Sequence, residues 1–96
     1  MNDLINDLKR NEDRELNKDK GEENLIIDYF NLCAEEYLWK KKNRIPKDVW
    51  IAWRAGILEN MKIRQIKEVY EKEILSETGK LSYYGLSQEL SDKKNQ

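Results

Sequence analysis

The sequence predicts an all-α fold, a small helical bundle built on an antiparallel helix hairpin with flexible charged termini. Three observations carry this. Apolar residues between positions 24 and 77 recur at three- and four-residue spacing. The only proline, Pro46, separates two such stretches by a very short link. All three tryptophans and the only cysteine fall between Asn31 and Ile57, where a chain this small needs large side chains inside.

Ninety-six residues make one domain with one modest core. A chain of that length buries roughly 65% of its unfolded surface. Residues 1–23, "MNDLINDLKRNEDRELNKDKGEE", are expected to be a charged N-terminal segment, weakly helical or flexible. Leu4, Ile5 and Leu8 share one helical face, but only Leu16 follows, too little to offset the segment's ordering entropy. Such a short apolar face suits docking into a partner's groove.

The helical core domain is read as 24–79. Its central helix, 24–42, starts with Asn24 as N-cap and carries Glu22, Glu23 and Asp28 near its positive end. Ile26, Tyr29, Phe30, Cys33, Ala34 and Tyr37 form one broad face. Leu25, Leu32 and Trp39 recur every seven residues on another side. A helix apolar on two sides is either sandwiched between neighbours or keeps one face for a partner.

At "NRIP", Asn43 suits the left-handed position after a helix, and Pro46 suits the first turn of the next. The third helix, about 46–58, places Val49, Trp50, Trp53 and Ile57 on one face, with Gly56 beside Trp53. A fourth, about 61–77, is capped by Asn60, carries a Glu68–Lys72 pair and stops at Gly79. The two could also be one bent helix. Residues 80–96 read as a loosely packed or disordered tail, from which Leu81, Tyr83, Tyr84, Leu86 and Leu90 could pack back.

Composition excludes several function classes. With 18 basic and 19 acidic residues the net charge is −1, against the basic excess of a typical duplex binder. No histidine and one cysteine leave none of the common zinc, haem or di-iron ligand sets and no internal disulfide framework, so no cofactor is expected. Buried among apolar neighbours and without a histidine base, Cys33 reads as structural, not nucleophilic. Asp28 and Glu35 share a helix side but have no companion acid or phosphate-binding motif, so they read as solvated and no enzyme is expected. A lone thiol fits a reducing cytoplasm, and no apolar run approaches the roughly eighteen residues that span a bilayer.

Lys40, Lys41, Lys42, Arg44 and Lys47 form one basic cluster. They complement a helix C-terminus, or else contact phosphates with a tryptophan as stacking platform.

The stretch from Leu25 to Ile57 resembles an uncharacterised bacterial helical domain family. Its members often sit on the cytoplasmic side of membrane-spanning helices. The likeness lies in Phe30-Asn31, Leu-Cys-Ala-Glu-Glu at 32–36, Tyr37, the basic turn before Ile45, and Val-Trp-x-x-Trp and Gly-Ile at 49–57. It implies a helical, bacterial or phage-encoded, regulatory domain, and this chain departs from it in lacking a membrane span. Richness in lysine, asparagine, isoleucine and glutamate agrees with an AT-rich host.

The resulting expectation is a non-enzymatic protein–protein interaction module, self-associating as a homodimer or acting as a small regulatory inhibitor. Leu25, Leu32, Trp39, Leu4, Ile5 and Leu8 are its candidate contacts. Nucleic-acid binding through residues 40–47 is the alternative, and peripheral attachment of the same cluster to an anionic membrane a third reading.

Overall fold

Five helices make up the regular structure of residues 1–75 and 85–91, the part of the computed structural model described here. They are α1 (Asn2–Arg10), α2 (Glu22–Lys41), α3 (Lys47–Asn60), α4 (Arg64–Leu75) and α5 (Leu86–Ser91). The fold is a small all-α bundle. Gly79, Leu81, Tyr83 and Tyr84 lie outside the described residues.

α2 and α3 form the expected antiparallel hairpin. Near the turn the Tyr37 and Trp50 rings lie 5.3 Å apart, and at the far end Asn60 Nδ2 donates to the Tyr29 hydroxyl at 2.9 Å. α2 stops as its sequence dictates. Asn43 adopts φ 59, its N–H reaches Lys40 O at 3.0 Å, and Arg44 N–H reaches Trp39 O at 2.9 Å. These two bonds satisfy carbonyls that the helix end leaves open. Pro46 is one position earlier than expected: its extended ψ of 145 makes it the N-cap, and its carbonyl accepts from Val49 and Trp50 N–H.

The start of α2 corrects the sequence reading. Gly21, not Asn24, precedes the helix, at φ 66, a left-handed conformation that glycine adopts without a Cβ penalty. α3 runs on to Asn60, and a tight turn closed by Ile63 N–H on Asn60 O at 3.1 Å separates it from α4. Helices three and four are therefore distinct. Lys72 pairs with Glu23 of α2 at 3.0 Å, and Glu68 with Arg64. The expected Glu68–Lys72 pair is not the contact made.

Phe30 sits at the centre, fully buried, with the rings of Tyr29 and Tyr70 at 5.2 and 5.0 Å. Ile26, Cys33 and Ala34 of α2 join Trp50 and Ile57 of α3 and Ile66 and Val69 of α4 around it. Val49, expected among them, is exposed, and Trp53 is half-buried. α5 is not a loose tail: Leu86 and Leu90 are buried, and Glu89 accepts from the Trp50 indole at 3.3 Å. The buried Arg54 donates to Glu89 O at 3.1 Å, with its Nε 3.6 Å from the Glu89 carboxylate.

The N-terminal segment departs most from expectation. Leu4, Ile5 and Leu8 are not an exposed docking face; they are buried in this chain's own core, Leu8 completely. Arg14 holds the following loop, bonding the Asp7 carboxylate at 2.7 Å and both oxygens of Glu22 at 2.8 and 2.9 Å. From α4, Gln65 Nε2 donates to Arg14 O at 2.6 Å and Glu12 O at 3.1 Å. The groove that orders the segment is intramolecular.

Two outcomes follow. Leu8→Ala should destabilise the protein by about 2–5 kcal/mol in urea titration, as a buried leucine does; an unchanged midpoint would mean α1 is undocked. Glu22 is held at about 2, against an ordinary 4.5, by the Arg14 guanidinium, with burial opposing and the Asn17 N–H assisting. The stability its charge contributes is full above pH 4.5 and is lost as pH falls toward 2. The difference in melting temperature between wild type and Glu22→Gln should close over that interval, and a gap that persists at pH 2 would refute the ion pair's role.

Candidate functional site

Among the described residues, α2 leaves one apolar row uncovered. Its inner face is spent on the core, while Leu25, Leu32 and Trp39 remain 44%, 46% and 44% exposed. At seven-residue spacing they lie on one side of the helix and span about 21 Å of its length at ~1.5 Å per residue. An amphipathic helix normally turns charge to that side.

α3 adds to this surface. Asn60 donates to the Tyr29 hydroxyl and Trp53 packs against the core, so the α3 side bearing Trp53 and Asn60 is turned to α2. Val49 and Gly56 recur with them at helical spacing and lie along the same junction. Val49 is 48% exposed, and a Cβ on Gly56 would meet nothing within 4 Å. Among the described residues no helix covers Val49. The sequence places Val49 on one face with Trp50, Trp53 and Ile57; it lies at the edge of that face and is exposed.

Carboxylates edge the row. Asp28 and Glu35 follow its outer side by helical spacing, and Glu36 the side toward α3. None of the three makes an ion pair or side-chain hydrogen bond among the described residues. Acids elsewhere do: Glu23 with Lys72, Glu59 with Lys62 and Glu68 with Arg64, each at 3.0 Å.

The basic cluster occupies the hairpin turn. Lys41, Lys42, Arg44 and Lys47 are exposed and Lys40 half-buried. The Lys40 and Lys41 ammonium groups lie 5.9 and 5.3 Å from the centre of the Tyr37 ring. They cap the negative end of α2 and cover an aromatic edge. Trp50 is 2% exposed and offers no base a stacking surface; Trp39 is the accessible indole of the turn.

A mixed-charge cleft of about 400 Å³ lies between α1 and the α3–α4 turn, with Leu8, Ile63 and Gln65 at its base and Lys9, Glu12 and Lys62 at its rim. It brings no nucleophile together with a base. Among the described residues no group of Cys, Asp and Glu is arranged to hold a metal ion, and no helix is long and apolar enough to cross a membrane. Comparison with protein-family models, curated proteins and solved structures finds no match.

Cys33 is packed, not poised. Burial pushes its thiol up to about 11, only partly offset by the Trp53 indole and Tyr29 hydroxyl beside it. Burial likewise raises the Tyr29 hydroxyl, with the Cys33 charge adding and the Asn60 amide opposing. A disulfide reagent at pH 8 should therefore label Cys33 at the rate of unfolding, accelerating in step with denaturant. Immediate labelling of the native protein would contradict this burial.

Proposed function

We propose that this chain is a non-enzymatic binding module that works by protein–protein contact through the outer row of α2. The observation that carries this reading is the exposure of Leu25, Leu32 and Trp39 at 44–46% on a helix whose other face is buried. Large apolar side chains left in water gain free energy when a partner covers them. An accessible indole such as Trp39 is a residue type that concentrates binding energy at interfaces. The small core and the sequence's likeness to a bacterial helical family favour a regulatory role in a bacterium or phage, exerted by docking.

The basic turn supports a lesser reading, nucleic-acid binding, because four of its side chains are exposed. Five phosphate contacts would give a log–log salt slope of about −4 to −5 on duplex DNA. Flat binding across salt removes that reading.

Leu32→Glu separates fold from function. As an exposed substitution it should change stability by no more than about 0.5 kcal/mol, and circular dichroism should be unaltered. A photoreactive phenylalanine analogue at Leu25 should cross-link a protein in the expressing cell, and Leu32→Glu should abolish that adduct. The same probe at Lys67, exposed on α4, should not form it. Unfolding by Leu32→Glu, or equal adducts from both positions, would overturn the proposed surface.

A further inference from the structure

The α2 row also carries information about what covers it. Resting on the reading that it is a docking surface, two occupants can be compared, a second copy of this chain and a foreign helix. Charge decides between them. In an antiparallel two-fold pairing centred on Leu32, each residue faces the one whose number completes 64. Leu25 would meet Trp39, which is favourable, but Asp28 would meet Glu36, and Glu35 would lie beside Tyr29 with no cation near it. In a parallel two-fold pairing Asp28, Glu35 and Glu36 would each adjoin their own counterparts. Both symmetric arrangements gather three carboxylates from each copy around the apolar centre. The nearest cations of the helix, Lys40 to Lys42, would lie beyond the ends of the row, opposite Asn24 and the glutamates Glu23 and Glu22, which are already paired with Lys72 and Arg14. Like charges facing across an apolar contact oppose association.

We propose that the Leu25–Leu32–Trp39 row receives an amphipathic α-helix of a foreign protein, whose own apolar row is flanked by lysine or arginine. The uncovered length matches about four helical turns of such a partner. Its cations would meet Asp28 and Glu35 on the outer edge and Glu36 on the inner one, carboxylates that have no partner among the described residues. Cations give the partner its orientation and encounter rate, while the leucines and indole supply the affinity.

Two synthetic helical peptides of eighteen residues test this against the full chain. Both carry leucine at heptad spacing; one has lysines flanking the leucines and the other glutamates. Calorimetric titration should show the lysine peptide binding about tenfold tighter, as three exposed ion pairs allow. The advantage should shrink between 0.1 M and 1 M salt, as the screening length falls from about 10 to about 3 Å. Asp28→Lys/Glu35→Lys, both exposed, should keep the helical spectrum and reverse the preference. Equal binding of both peptides that Leu32→Glu abolishes would overturn the charge-selected partner while leaving the docking surface intact. Binding insensitive to Leu32→Glu, or none at all, would overturn both. A dimer in sedimentation equilibrium that Leu32→Glu dissociates would overturn the foreign helix in favour of a second copy.

Discussion

The fold depends on how α2 divides its sides. Ile26, Phe30, Cys33 and Ala34 are all buried on one of them, and α3, α4 and α5 are each fixed by what they contribute to that face. α3 brings Trp50 and Ile57, α4 brings Ile66, Val69 and Tyr70, and α5 closes the end with Leu86 and Leu90. Packing at interior density leaves little slack, so once that face is filled, nothing remains in the described chain to cover Leu25, Leu32 and Trp39. Core and candidate site are two consequences of one arrangement.

Much of this was legible because the relevant forces are local. Asn43 and Pro46 mark the hairpin by their backbone preferences alone, and aromatic residues on either side of so short a link must meet near it. The heptad recurrence of Leu25, Leu32 and Trp39 separated them from the inner face before any packing was known. What escaped was settled by contacts far apart in sequence. Leu4, Ile5 and Leu8 are too few to order a segment alone; they are ordered because the chain's own core receives them. The Arg14–Glu22 pair and the Gln65 bonds to loop carbonyls have no periodic signature, so a tethered loop read as a flexible one. Val49 departs for another reason: four-residue spacing links it to Trp53 and Ile57, but each such step turns about 40° round the helix, so Val49 sits at the exposed edge of a face whose other end, Ile57, is buried.

The same division bears on chemistry. Cys33, the chain's one thiol, is sealed in the core and held protonated by burial. The basic turn neutralises a helix end and lies along Tyr37. By contrast the α2 row combines exposed apolar side chains with carboxylates that have no cation partner among the described residues. An arrangement costly in isolation and relieved by a complementary surface is the physical mark of an interface. For a domain of this size, docking would also add to a modest intrinsic stability.

The most direct measurement is fluorine NMR of the chain labelled with 5-fluorotryptophan, with the three resonances assigned by single replacements and their shifts compared in light and heavy water. If α2 is divided as described, the Trp39 resonance shows a large solvent isotope shift, Trp53 a partial one and Trp50 almost none. A protected Trp39 or a solvent-exposed Trp50 would mean that the two sides of α2 have been assigned the wrong way round.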